Sequence, residues 1–277
     1  ARCEWPVAEA CYTDLIAQGK HVAQRKHAVE LPVSPTSDLW FPNVSNVRNP
    51  RLLKALAVML AQHPRVRVST FTPVQGVEAT DQGLKVMLDG QNRLARHVVC
   101  AAGAWSTRVL QNLTTNVLKV RPVMGQMLSL KYANSEAIPM VLQNGLYIVP
   151  RKKGLVLVGS TVQRCGYRKQ WDVQTYHRLL NFAVDLLGET VRQTVQAQWS
   201  GLRPEADRDL PVVGAHPTVP GLWFNTGHFR NGLVLAVGSA QHLVQHMNQG
   251  WAHSVSANPL GLALRTNAAD VTGATVL

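Results

Sequence analysis

Two arginines near the C-terminal end stand where an anion could be held. The chain reads Trp199-Ser200-Gly201-Leu202-Arg203-Pro204 and later Thr226-Gly227-His228-Phe229-Arg230-Asn231-Gly232-Leu233. Both arginines fall in Gly- and Pro-bounded loops with apolar runs behind them. A guanidinium captures a carboxylate through two parallel N–H bonds. The second loop opens straight into an expected helix, whose first N–H groups lack partners and carry the positive end of the helix dipole. The pair predicts a site for an anionic or electron-rich ligand. A plainer use of Arg203 is an ion pair with Glu205 or Asp207, and of Arg230 a structural place in its loop.

Other reactive residue types fall in less telling patterns. His242 and His246 stand i, i+4 on the expected C-terminal helix, the spacing for shared metal ligation, but no third ligand follows at a recognisable interval. No metal is expected. Ser106, Ser200 and Ser239 lack the G-x-S-x-G elbow of a hydrolase. The four cysteines (Cys3, Cys11, Cys100, Cys165) have no CxxC spacing. They fit reduced thiols in a cytoplasmic protein, with Cys100 buried in an apolar strand. The net charge of +12 raises the question of nucleic acid. The basic residues are scattered, however, without a long block or interleaved aromatics, which favours a surface that attracts anionic ligands or avoids aggregation. The apolar runs fall short of a membrane span. A homo-oligomer is left open.

The elements that must position the arginines follow from periodicity. With 277 residues, 46% apolar and 16% charged, the chain has material for one large or two medium domains. Asn49 as N-cap and Pro50 at the first helical position start a helix. Leu52, Leu53, Leu56, Met59 and Leu60 recur along it until His63-Pro64. Strands are predicted at 39–41, 66–72, 74–78 and 83–88. Val98 to Ala101 form an apolar strand running into Ala102, Gly103, Ala104 and Trp105, small residues that let a backbone or flat ligand come close. Ser106 is expected to cap a helix to residue 112. The middle of the chain is β-rich, with strands at 127–132, 145–150, 155–161 and 195–199, and Gly125 as a bulge or turn. An amphipathic helix spans 175–187. A short core strand at 222–225 precedes the second arginine loop and a helix to His246. Residues 251–277 read as a tail.

From Val47 to about His246 these segments resemble, in order, the D-amino-acid oxidase and glycine oxidase superfamily of FAD enzymes. The helix N-P-R-L-L-K-A-L, the strand and turn V-V-C-A-A-G-A-W-S, R-P-V-M-G-Q-M-L, L-Y-I-V-P-R-K-K-G-L-V-L-V-G-S-T, G-L-R-P and G-H-F-R-N-G carry the resemblance. It implies oxidation of the C–N bond of glycine or a small amino acid or amine to an imine, with oxygen as acceptor and hydrogen peroxide as product. The closest family function is the glycine oxidase of thiamine biosynthesis. Arg203 would hold the substrate carboxylate, and Tyr147 and Arg230 would line the pocket. Tyr147 read alone is equally an amphipathic sheet tyrosine. FAD would lie against Val74, Ala101, Ala102, Gly103, Trp105, Gly227, His228, Arg230, Asn231, Gly232 and Leu233.

One departure from the family pattern is large. Its members open with G-x-G-x-x-G, whose glycines let the backbone approach a pyrophosphate. Here no two glycines are two residues apart. The chain is therefore expected to lack the family's first strand–helix–strand unit. The predicted fold is mixed α/β: an incomplete, Rossmann-like FAD layer (47–110 and 201–250) plus an antiparallel-sheet substrate layer (1–46 and 111–200). Two rival outcomes remain, a flavin-free fragment without activity and a flavin amino-acid dehydrogenase.

Overall fold

The computed structural model describes residues 23–24, 39–40, 44–113, 118–207, 210–252 and 254. In chain order the elements are β1 (Ala23–Gln24), β2 (Leu39–Trp40), α1 (Asn49–Gln62), β3 (Val74–Thr80), β4 (Gly83–Leu88), β5 (Asn92–Ala95) and β6 (Val98–Cys100). A 3-10 turn at Gly103–Trp105 leads into α2 (Ser106–Val109) and β7 (Val120–Lys131). Then come β8 (Val141–Gln143), β9 (Leu146–Arg151), β10 (Leu155–Gly159), α3 (Val173–Leu187), β11 (Val195–Ala206), β12 (Val212–Ala215), β13 (Leu222–Thr226) and α4 (Gly232–Gln249). Apart from the paired β1 and β2, most of residues 1–46 lie outside the described residues, as does nearly all of 251–277.

Period-two alternation builds the largest sheet, in the antiparallel order β11-β7-β10-β9-β8. Leu128 and Leu130 of β7, Ile148 of β9, and Val156 and Val158 of β10 point to one face. There they meet Leu179, Leu180, Ala183 and Leu187 of α3, the stripe expected of an amphipathic helix. Asp172 starts that helix by accepting from the Thr175 N–H at 2.6 Å. The opposite face of the same sheet carries the site.

A second sheet, β12-β13-β6, pairs β13 with β6 in parallel, Leu222 opposite Val98 and Phe224 opposite Cys100. The two apolar strands expected in one layer thus share a sheet. β12 joins as the antiparallel edge, and Trp223 packs with Val213 and Leu243 beneath α4. The third sheet, β3-β4-β5, is an antiparallel meander.

Several expected boundaries move. Residues 66–72 form no strand, because they are exposed and pair with no described strand, and Phe71 turns to φ +54°. Ser106 caps no helix. Its hydroxyl donates to Gly103 O instead, and α2 ends at Val109. Gly125 is neither bulge nor turn but sits in register opposite Gly201 inside β7. Arg203 is not in a loop: β11 runs through it to Ala206. The helix after Arg230 extends past His246 to Gln249.

α1 is the anomaly of the fold. Arg48, not Asn49, is its N-cap, and Asn49 and Pro50 both lie in its first turn, yet none of its residues is buried. Leu52, Leu53, Leu56, Met59 and Leu60 all face outward.

Candidate active site

Register fixes which side chains share the site face, since residues directly opposite in antiparallel strands point the same way. Tyr147 stands opposite Gly159, Gly159 opposite Met127, and Met127 opposite Trp199. Two residues along, Gly125 faces Gly201, and two further Val123 faces Arg203. All lie on the face away from α3. Glycine at 125, 159 and 201 clears a trough along it. A Cβ at Gly125 would collide with the Arg203 guanidinium, and one at Gly159 would lie 2.9 Å from Met127 Cγ and 3.3 Å from the Tyr147 ring. Above Gly201 nothing comes within 4 Å, so the floor beside Arg203 is open.

Arg203 is half-buried in this trough. Its Nη1 donates to Thr161 O at 3.1 Å and its Nη2 to Ser160 Oγ at 2.6 Å. Burial lowers its pKa from the ordinary guanidinium value, the Tyr147 hydroxyl opposes that shift through charge and a hydrogen bond, and Arg230 reinforces it. It remains a cation. The two acids that could have neutralised it are engaged elsewhere. Arg164 clamps Glu205 with Nε at 3.0 Å and Nη2 at 2.6 Å, and Arg121 pairs with Asp207. The plainer reading of Arg203 as an ion pair is therefore overturned.

Backbone contacts bring the second loop to the end of β11. Phe229 N donates to Pro204 O at 2.7 Å, and Glu205 and His228 form a bridge. Gly227, at φ +80°, packs so close to Ala206 that an added Cβ would sit 2.9 Å from Ala206 Cβ. Arg230 thereby reaches the field of Arg203, while its own side chain stays exposed. Asn231 offers α4 no side-chain cap, so the helix presents its first N–H groups uncapped at this edge.

The turn after β6 arrives at the same edge. The Ser106 hydroxyl donates to Gly103 O at 2.8 Å and lies 2.7 Å from Thr226 Oγ1, which itself reaches Gly103 O at 3.3 Å. Gly103 and Ser106 are thus held to Thr226, the residue before Gly227, at the carboxyl ends of the parallel strands β6 and β13. Ligand crevices of α/β sheets form at such ends. Val74 is exposed at the start of β3.

The family profile described as DAO, FAD dependent oxidoreductase, matches residues 12–246. The chain belongs to this FAD-dependent oxidoreductase family. Among its DAO-family relatives, the glycine oxidase of Pseudomonas putida is 41% identical over 204 residues, 73% of this chain and 56% of the relative. The glycine oxidase of Pseudomonas aeruginosa is 37% identical over 211 residues, 76% of this chain and 58% of that one. The chain thus spans little more than half the length of these curated relatives. The crystal structure of glycine oxidase from Geobacillus kaustophilus superposes with a TM-score of 0.81 at 24% identity, covering 90% of this chain and 69% of that one. The DAO fold is shared.

FAD is the cofactor of the DAO family, and this edge has features that fit such a group. His228 Nε2 and Asn225 Oδ1 are buried there without partners. Gly103, at φ +56°, has open space where a Cβ would stand. Burial lowers the His228 pKa, so the ring is held neutral. No Gly-x-Gly spacing occurs in the chain.

Sequence reading missed Gly125, Ser160 and Thr161. A signal for the first existed: glycine inside an apolar strand marks either a bulge or a close approach, and here it is the latter. The contact of Ser160 with Arg203 bridges 43 residues and has no local signature. The His242 and His246 ring centroids lie 4.4 Å apart, with the rings tilted by 53°, and the Ser254 hydroxyl donates to His246 O. Among the described residues no helix is long and apolar enough to cross a membrane.

Proposed function

We propose that this chain carries the substrate and flavin-ring side of an amino-acid oxidase. Its substrate is glycine or a small amino acid, oxidised at the C–N bond to an imine with oxygen as acceptor and hydrogen peroxide as product. The observation that carries the reading is Arg203, a desolvated guanidinium whose hydrogen-bond acceptors in the protein are neutral. A substrate carboxylate supplies the missing negative charge. Bound FAD would supply the hydride acceptor for this oxidation. Arg203 orients the carboxylate, and the Tyr147 hydroxyl closes the pocket over the Gly159 trough. Arg230 and the uncapped start of α4 stabilise negative charge at the cofactor edge. In this reading 47–110 and 201–250 make the flavin layer, 1–46 and 111–200 the substrate layer, and the protein works in the cytoplasm, in the thiamine-related role of the glycine oxidases.

A second reading concerns the flavin affinity of this chain by itself. The absent Gly-x-Gly spacing and the bare α1 favour weak binding. Losing three charge-assisted phosphate bonds of about 1.5–3 kcal/mol each costs roughly three or more decades of affinity.

Both readings are tested with the purified chain. Its visible spectrum after gel filtration should show substoichiometric flavin, and a yellow 1:1 complex refutes weak binding. With saturating FAD, Arg203→Ala should lower kcat/KM for glycine roughly 30- to several-thousand-fold, from about 2–5 kcal/mol for a desolvated charge pair. Arg203→Lys should restore it only partly. Ethylamine, which lacks the carboxylate, should be affected little. Equal losses on both substrates would mean that Arg203 holds the fold and not the substrate. Peroxide formation against dye reduction separates oxidase from dehydrogenase.

A further inference from the structure

Gly125 and Ser160 are remote in sequence from Arg203, yet they contact its guanidinium from two sides. Gly125 is buried under it, with no room for a Cβ. Ser160, also buried, accepts from Nη2 at 2.6 Å, while Thr161 O accepts from Nη1 at 3.1 Å. A guanidinium on a glycine floor with both Nη atoms tied can neither tilt nor spin. Its remaining N–H groups, of the five that arginine carries, are left for the Tyr147 side and the open floor above Gly201.

The cradle is itself braced. Gln126, fully buried beside Gly125, takes its N–H to Thr161 Oγ1 at 3.0 Å and receives the Thr161 N–H at 3.4 Å. Its side-chain amide donates to Gln163 Oε1 at 2.7 Å and to Asp172 Oδ2 at 2.9 Å. Gln163 also donates to Asp172 Oδ2, at 3.1 Å. Hydrogen bonds from Thr175, then from Gln126 and Gln163, hold the Asp172 carboxyl well below the usual carboxylate range. The segment after β10 is thereby locked to β7, so the two halves of the cradle cannot slide apart.

We propose that Ser160 and Gly125 are positioning residues for Arg203, fixing the plane and rotation of its guanidinium for bidentate capture of a carboxylate. The inference rests on the proposed carboxylate role of Arg203, and adds that the arginine alone is not sufficient. Preorganisation of this kind raises affinity by removing the ordering cost from the binding step.

The test uses the whole chain, with glycolate as a carboxylate lacking an amine and ethanolamine as an amine lacking a carboxylate. Ser160→Ala removes one hydroxyl and should weaken glycolate binding by calorimetry roughly 10- to 150-fold, the range for one bond to a charged group. Gly125→Ala should weaken it further. Ethanolamine binding and the Tm of Ser160→Ala should barely change. Nitrogen-15 spectra give a readout that needs no ligand. Separate Nη signals of Arg203, showing restricted rotation, should be present in the wild type and merge in Ser160→Ala. Unchanged glycolate affinity together with persisting separate signals would overturn the positioning role. If the wild type prefers neither ligand, the carboxylate reading fails, and the Nη signals still decide whether Ser160 holds the guanidinium.

Discussion

Lowering the pH from 7.5 to 4.5 should destabilise the protein through one buried imidazole. His216 lies between β12 and β13, fully enclosed. Its Nδ1 accepts from Thr218 N at 3.1 Å and Val219 N at 3.0 Å, so that nitrogen must stay unprotonated in the folded chain. Its carbonyl accepts from Trp251 Nε1 at 2.9 Å, tying the C-terminal end of α4 to the same turn. Burial pulls its pKa from 6.5 down to about 4. The unfolded chain therefore binds a proton below pH 6.5 that the folded chain refuses until about pH 4. Stability from this group is complete above pH 6.5, falls as the pH drops toward 4, and is level below that. Two-state linkage with these values gives a loss of about 2.5 kcal/mol at pH 4.5. The assay is urea unfolding at both pH values for the wild type and for His216→Asn, whose amide oxygen keeps an acceptor near the Nδ1 position but does not titrate. The wild type should lose about 2–3 kcal/mol more than the variant across the interval. An equal loss in both proteins would refute the reasoning, since the proton uptake would then belong to other groups.

Further expectations follow from burial. Leu128→Ala, in the core between the large sheet and α3, should cost about 2–5 kcal/mol in urea unfolding. Leu53→Ser, on the bare face of α1, should stay within about 0.5 kcal/mol; a large loss there would show that the leucine is covered in solution. Mapped thiol labelling at pH 8 should modify exposed Cys165 quickly and spare Cys100, whose pKa burial raises, until denaturant is added. Rapid labelling of Cys100 in the native protein would contradict the packing of β6.

The parts of the fold that a sequence reveals are those written in local periodicity. The stripe of α3, the β9–β10 hairpin around Lys153 and Gly154, and the apolar runs of β6 and β13 were legible because each pattern sits within one element. Arg203 was assigned to a loop since Gly201 and Pro204 flank it; both in fact lie within β11, and the glycine's purpose is clearance opposite Gly125. The alternation at 66–72 looked like a strand, but a strand exists only by pairing, and these residues have no partner among those described. β5, β8 and β12 were missed because each spans four residues or fewer, too short for period-two alternation to stand out. At the candidate site, Arg203, Arg230 and the Gly103 turn could be chosen by residue type and flanking pattern, Tyr147 only through the family resemblance. Gly125 signalled only a bulge or a close approach, and Ser160 gave no signal, because their meaning depends on register between distant strands.

The parallel pairing of β6 with β13 also has a consequence in time. Ser106 and Thr226, which pin the Gly103 turn to β13, are 120 residues apart in the chain, whereas the β9–β10 and β3–β4 hairpins close over a few residues. Contacts of long loop closure form late, since their entropy must be met before they return anything. During synthesis β6 leaves the ribosome well before β13 exists, and its apolar strand must wait without its partner. The antiparallel sheet with α3 can assemble in that interval. The edge that joins the Gly103 turn to β13 is then made after that sheet.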